Sequence, residues 1–402
     1  MRRFPVTAIV SVIAWSLLHA QATGQDAQNV PPDSTVTLPA LLAEALRANP
    51  RVQGARVRAD AAAARIDQAG AWDDPQLGVD FFATPVTSAN PFKDGMETDY
   101  FLQQMLPLSG KKGLMEEAAT AGAAMVRESA AGTEQALVAD VKRSYAMIAA
   151  AQRRIEVNAE NERLISQIIS TARSRYAVGQ SSQSDILKAG VELARLQNER
   201  AGLEQELASA TGMMNALLGR TATSPLGRLA EMEPRPVSQS LEDLSTLALK
   251  HRPELLGMNF ELAMNQADLR TAKREWVPDL MVRGMYKQMK ETGDQWSAMF
   301  SINIPIAPWS SGKYSGRVRE NELNLRALEQ SVQDMRNMVL AEIRDAWAKS
   351  RSHWEQLQRY AGVMIPQARL SLQSTLASYQ SGRADFLSLL DSYRMLQMLQ
   401  ME

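Results

Sequence analysis

The 402-residue sequence predicts a mainly α-helical chain with a small β portion, arranged as two copies of one long helical hairpin with two strands in each copy. Three observations carry that prediction. The first is a run without proline between Pro107 and Pro225, rich in Ala, Glu, Gln, Arg, Leu and Met. Within it Leu137, Val141, Tyr145 and Ile148, and later Ile165, Ile168, Ala172 and Tyr176, recur at the spacing of an apolar helical stripe. The second is the stretch Tyr176-Ala-Val-Gly179-Gln-Ser-Ser-Gln-Ser-Asp185-Ile-Leu187, which interrupts the run. Gly179 supplies the backbone freedom a helix C-terminus needs, and Ser181, Ser182, Ser184 and Asp185 can each cap the helix that follows. The stretch therefore reads as a hairpin tip. The third is the return of that tip as Tyr379-Gln-Ser-Gly382-Arg-Ala-Asp-Phe-Leu-Ser-Leu-Leu390-Asp391, at an offset of 203 residues. Ala45-Leu46 with Pro50 matches Ala248-Leu249 with Pro253 at the same offset, as Pro75-Gln-Leu77 matches Pro278-Asp-Leu280. Ser109-Gly110-Lys111 matches Ser311-Gly312-Lys313 with a one-residue slip. A near-constant offset across helix, turn and strand segments means an internal duplication.

In chain order, residues 1–22 have the form of a secretory signal peptide: Arg2 and Arg3, the apolar stretch Ala8 to Leu18, and the small-residue cleavage pattern Ala20-Gln-Ala22. Residues 23–37, with Pro31-Pro32, read as a flexible entry segment. The first structural repeat, 38–220, opens with an Ala-rich helix from Leu38 to Ala71. A strand pair within 76–106 follows, Gln76–Thr84 and Thr98–Leu106, punctuated by Pro75, Pro85, Pro91 and Pro107. The long helix, Gly113 to Val178, would reach about 100 Å at 1.5 Å per residue. The return helix, Ser184 to Leu218, is about half as long. It and the Leu38–Ala71 helix together match the long helix, so the two can stack end to end beside it. Residues 221–240, with Pro225, Pro234 and Pro236, form the inter-repeat linker.

The second repeat, 241–402, follows the same plan. A helix Leu241–Lys273 leads to a strand pair at 279–304, a long helix Tyr314–Gln380 that Pro366 should kink, and a short last helix. The strands are clearest here. Trp296, Ala298, Phe300, Ile302 and Ile304 share one face against Ser297, Met299, Ser301 and Asn303. Leu280, Val282 and Tyr286 alternate with Met281, Arg283 and Lys287. Period two with opposed faces argues for half-buried strands. Strands of about nine to eleven residues also fit a membrane barrel. On these residues alone, a small hairpin over a soluble core fits equally well.

Composition narrows the chemistry. A formal net charge of −1 argues against a nucleic-acid surface. No Cys is present, which excludes disulfides, thiolate metal sites and cysteine nucleophiles. His19, His251 and His353 are the only histidines and His19 lies in the leader, so neither an imidazole metal cluster nor a His-based catalytic site is expected within one chain. No enzyme activity, cofactor or metal site is therefore expected. Beyond the leader no segment has the roughly 18 consecutive apolar residues of a membrane-spanning helix. Gly110-Lys111 and Gly312-Lys313 lack the glycine spacing and following Ser/Thr of a phosphate loop. The 21 Met are scattered along the chain and read as packing filler rather than a path for a soft metal. Trp72, Trp276, Trp296 and Trp309 flank the strands, where either a membrane interface or a core would use them.

Four strands cannot close a barrel, which needs about eight or more, and open edges do not survive in lipid. If these are membrane strands, several chains share one barrel, and three chains would supply about twelve strands.

Taken together, these elements resemble the TolC family of outer membrane factors, the exit ducts of tripartite efflux systems and type I secretion. The two tips, the strand pairs after Trp72-Asp-Asp-Pro75 and Trp276-Val-Pro278, and the duplication carry the resemblance over residues 38–402. Gln103-Gln-Met-Leu-Pro-Leu-Ser-Gly-Lys111-Lys112 resembles the Gln…Gly-Lys-Arg element of the heavy-metal cation efflux (CzcC-like) branch. The resemblance implies a fold that is mainly α with a small membrane β portion, a homotrimer whose twelve-stranded β-barrel is continuous with an α-helical tunnel. It places the chain in the outer membrane of a Gram-negative-type cell, with a large periplasmic portion. Its partners would be outer-membrane lipid, a periplasmic adaptor (membrane fusion protein) and an inner-membrane pump, and its action gated passive passage. Carried over by the glycine of each tip, the family's periplasmic gate falls on Ser184, Asp185, Tyr379 and Asp391, the last forming an acidic ring that favours cations. The family's second ring aspartate falls on Ser388 and its gate arginine on Ala384, with Arg383 one residue earlier as its substitute. The turns at Gly179 and Gly382 would meet the adaptor. Against this, Tyr379 and Tyr176 also suit turn packing, and Asp185 a helix cap. The competing function is a periplasmic coiled-coil adaptor or scaffold without a pore. It would need lipoyl-like and barrel domains flanking one hairpin, whereas this chain has two equivalent hairpins with strands at their opposite ends.

Overall fold

The computed structural model describes residues 35–402 except 83, 85, 232, 291, 292 and 306, so the expected signal peptide and nearly all of the entry segment lie outside the described residues. In chain order the elements are α1 (Leu38–Ala48), α2 (Pro50–Gly70), β1 (Gln76–Phe82), α3 (Pro91–Asp94), β2 (Glu97–Leu106), α4 (Lys111–Ala177) and α5 (Gln183–Leu217). Then come α6 (Leu241–His251), α7 (Pro253–Arg274), β3 (Leu280–Met289), β4 (Gln295–Ile302), α8 (Ser311–Arg359), a π-turn (Tyr360–Met364), α9 (Ile365–Gln380) and α10 (Phe386–Met401).

Two helices expected to be continuous are broken, at equivalent places. The helix expected over 38–71 divides at Asn49, and that over 241–273 divides at Arg252. Each break precedes a proline, Pro50 or Pro253, that starts the next helix. Proline has no N–H to continue the ladder and forces the residue before it out of the helical region. Asn49 accordingly adopts φ −67°, ψ 121°, and its Oδ1 accepts from the Arg51 and Val52 amides. Pro366 perturbs its helix as anticipated. The preceding turn widens to a π-turn over Tyr360–Met364, which absorbs the missing N–H and the ring's clash with the carbonyl four residues back.

α4, of 67 residues, is the spine of the molecule. α2 and α5 both lie along it, as the length argument anticipated. Where they meet, Asn49 Nδ2 donates to the Leu217 carbonyl at 2.8 Å and Arg220 grips Glu44 through two bonds of 2.6 Å. Gly219 turns the chain away at φ +71°, and a Cβ there would sit 2.9 Å from the Ala48 carbonyl oxygen. A core of Leu41, Val52, Leu137, Val141, Tyr145, Ile148 and Met214 buries this junction. α7 packs on the other flank of α4, and α8 on α7. The helices α2, α4, α7 and α8 thus run side by side, with α2 and α8 at the two ends.

The strands form one antiparallel sheet in the order β1-β2-β3-β4. Its two faces differ. One carries Leu77, Val79, Tyr100, Leu102, Tyr286, Trp296, Phe300 and Ile302, all exposed. The other carries Asp80, Asp99, Arg283 and Lys287, cross-linked by Arg283–Asp80 at 2.6 Å and Lys287–Asp99 at 2.9 Å. Among the described residues no helix is long and apolar enough to cross a membrane.

Candidate functional site

The two hairpin tips are built alike. Gly179 and Gly382 have φ of +74° and +76°, a region that costs a side chain strain. Gln180 N donates to the Arg175 carbonyl and, at the same offset of 203, Arg383 N donates to the Ser378 carbonyl. The caps differ. Of the four candidates at the first tip, Ser182 caps α5 and Asp185 closes a capping box by accepting from Ser182 N at 3.2 Å. At the second tip Asp385 caps α10, accepting from Ser388 N at 2.8 Å. Hydrogen bonds from Ser388 hold the Asp385 carboxyl below the usual carboxylate range.

The tips touch each other through side-chain contacts. Ser181 Oγ donates to Asp185 Oδ2 at 2.8 Å and lies 3.1 Å from the Tyr379 hydroxyl. Ser181, which the sequence offered only as a cap, is thus the link between Asp185 and Tyr379. The Arg175 guanidinium stands 4.6 Å over the Tyr379 ring, and the Phe386 ring packs edge-on against it with centroids 5.8 Å apart. Tyr379 is 3% exposed. Three other expected residues stay outside this contact: Arg383 Nε donates to Ser381 Oγ within its own turn, at 3.1 Å, and Ser184 and Asp391 are exposed on α5 and α10.

Behind the tips, α4, α5, α9 and α10 make a small bundle around Ile165, Ile168, Leu196, Leu372, Leu389 and Tyr393. Burial pushes the Tyr393 phenol well above its ordinary pKa. Sequence reasoning missed the polar link on this bundle. Glu192 on α5 is buried, accepts from Arg195 Nε at 3.0 Å and from Arg394 Nε of α10 at 2.9 Å. Arg195 also reaches Gln397, which donates to Glu199 at 3.2 Å. The available signal was positional: Glu192 sits in the α5 stripe of Ala189, Leu196 and Leu203, where an acidic residue needs a partner. Burial raises the Glu192 carboxyl, but hydrogen bonds and charge from Arg394 and Arg195 outweigh it and hold it below the usual range. Its contribution is therefore present above about pH 5 and lost as the pH falls through the depressed folded value. We expect the thermal-stability gap between the native protein and Glu192→Gln to narrow on acidification from pH 7 to 3. A gap independent of pH would exclude the ion pair as its cause.

At the opposite end of the helices the Ser109-Gly110-Lys111-Lys112 element ties strands to helices. Gly110 turns at φ +66° and Arg274 Nη1 donates to the Ser109 carbonyl at 2.7 Å. Lys111 pairs with Asp279 and Lys112 with Asp73 at 3.0 Å. Both carboxylates lie just before a strand, so this element fixes how the sheet sits on the helices. Among the described residues no group of three or more His, Asp or Glu is placed to hold a metal ion.

A family model described as outer membrane efflux protein matches residues 41–220 and 244–400. The chain belongs to the outer membrane efflux protein family. It is a family of outer-membrane efflux channels, and it is not enzymatic. The cobalt-zinc-cadmium resistance protein CzcC of Cupriavidus metallidurans is 23% identical over 296 residues, 72% of this chain and 69% of that protein. The cation efflux system protein CusC of Escherichia coli is 22% identical over 372 residues, 89% of this chain and 79% of that protein. These relatives support the heavy-metal branch that the Gly110-Lys111-Lys112 element suggested. In fold, the chain is similar to crystal structures of CusC with a TM-score of 0.77 and 19% identity, over 90% of this chain and 87% of that one.

Proposed function

We propose that the chain is the outer-membrane exit duct of a tripartite efflux system, a homotrimer that gives gated passive passage from periplasm to exterior. The observation that carries this reading is the sheet. It has an exposed apolar face, a charged face, and outer edges on β1 and β4 that no described strand pairs. β1 and β4 run in opposite directions, so β4 of one copy can pair antiparallel with β1 of the next, and three copies close a barrel of about twelve strands. The apolar face then meets lipid and the charged face lines the lumen. The side-by-side helices close in the same sense, α8 of one copy against α2 of the next, and continue the barrel as a tunnel through the periplasm. The tips at Gly179 and Gly382 lie farthest from the sheet, where a periplasmic adaptor and its inner-membrane pump engage them. Heavy-metal cations are the cargo the relatives' names suggest.

In this reading the Tyr379–Ser181–Asp185 contact holds the second hairpin onto the first and keeps the tip end narrow. Arg383 and Ser184 face the neighbouring copy, and Asp391, repeated around the axis, favours cations. Tyr379→Phe removes one neutral hydrogen bond of about 1 kcal/mol, shifting the closed-to-open ratio roughly fivefold. In planar bilayers the extracted protein should form trimers with small cation-selective conductance, raised by Tyr379→Phe and less cation-selective in Asp391→Asn. A water-soluble monomer or dimer without conductance would overturn the duct and leave the scaffold.

A further inference from the structure

Every methionine of the four strands faces the same way. The registers put Met105, Met281, Met285, Met289 and Met299 on the charged face, and none on the apolar face. Every Leu, Val and Ile of the strands lies on the opposite face. Filler does not explain this division. If the charged face needed only apolar bulk, the stiffer β-branched and leucine side chains would serve it as they serve the other side. In the strands the scatter expected from the sequence is absent.

The placement is also that of a path. Met105 and Met281 are directly opposite in the β2–β3 register, so their Cβ atoms are about 5 Å apart and their thioethers can converge. Met299 pairs with Arg283 and is therefore diagonal to both Met281 and Met285. Met285 and Met289 continue along β3 at four-residue steps of about 13 Å, from the helix end of the sheet to its far turn. The cations on this face are already engaged: Arg283 by Asp80 at 2.6 Å, and Lys287 by Glu97 at 2.7 Å and Asp99 at 2.9 Å. Those carboxylates outnumber the two cations, so the face does not repel positive charge.

Thioether sulfur is a soft, neutral ligand that selects soft metal ions over Mg²⁺ or Ca²⁺. We propose that this face is a thioether ladder that binds Cu(I) or Ag(I) transiently and hands it from Met105, Met281 and Met299 along β3 toward the far turn. The inference rests on the barrel reading, which places this face in the lumen. Three copies would set three such ladders around one axis, with ligand exchange among Met105, Met281, Met299 and Met285, release and recapture over the longer step to Met289, and no redox step.

The test uses the full mature protein in detergent, with the particle size measured first. Cu(I), kept reduced anaerobically with ascorbate, is then competed between the protein and bicinchoninate. Replacing all five strand methionines by leucine conserves volume and should leave the trimer intact while weakening Cu(I) retention by about tenfold or more. Met395→Leu with Met398→Leu, on exposed helix positions of α10, should leave retention unchanged. A trimer whose Cu(I) retention is the same with and without the five sulfurs overturns the ladder and leaves the duct standing. A protein that is not a trimer removes both. Should the five-leucine variant fail to assemble, Met105→Leu with Met281→Leu alone must still lower retention, or the ladder fails.

Discussion

A Tyr393→Ala exchange is expected to cost about 3–5 kcal/mol, the usual range for removing a fully buried aromatic ring. Tyr393 is 0% exposed and packs among Ile165, Leu196 and Leu389, where α10 meets α4 and α5. Its hydroxyl donates to the Asn161 carbonyl only at 3.4 Å, so the ring rather than the bond carries most of the effect. Tyr393→Phe should accordingly cost less than about 1 kcal/mol. Because the ring joins the second hairpin to the first, the proposed gated duct predicts that the alanine variant also leaks in planar bilayers, while the phenylalanine variant stays closed. Thermal unfolding and resting conductance, measured together on both variants, check this. Equal stability of the two would remove Tyr393 from the list of residues that hold the hairpins together.

The second large effect tests the sheet. Phe300 lies on the apolar face and is 69% exposed; Ser301, next to it, lies on the charged face. Phe300→Lys is expected to cost about 2–4 kcal/mol in each copy if that face lies in hydrocarbon, because a cationic side chain must be desolvated or snorkel. Ser301→Lys places the same charge on the other side of the same strand and should leave the amount of membrane-extracted trimer unchanged. Equal tolerance of both substitutions would mean that neither face meets lipid.

Much of this architecture was legible because the chain states it twice. Tyr-x-x-Gly recurs at both tips and both glycines take positive φ, since a hairpin of long helices needs a left-handed residue to end the first one. The strands were legible for a different reason: alternation has a period of two, and Trp296 to Ile302 shows it without interruption. The breaks at Asn49 and Arg252 were missed although Pro50 and Pro253 stood in plain view. The composition on both sides of each break is helix-forming, and only the geometry forced by proline overrides it. The Ser181 link and the Glu192–Arg394 pair depend on which faces of two sequence-distant hairpins meet. No local spacing encodes that, though an acidic residue in an apolar stripe does mark where a partner must come from. Ser184 and Asp391 are exposed and Arg383 bonds only within its own turn, so their roles rest on the proposed trimer, and no one-chain pattern names them.

The two strand edges that no described strand pairs carry a consequence for biogenesis. A lone protomer exposes two rows of unsatisfied amides and carbonyls beside an apolar surface, the combination that templates aggregation. If three copies share one barrel as proposed, such a chain is stable neither in water nor in lipid until its neighbours arrive. In that reading assembly should depend steeply on protomer concentration, and the interval before ring closure is when the chain would depend on chaperones and be most exposed to proteases. The adhesive edges that would make the proposed ring durable would also make its unfinished precursor short-lived.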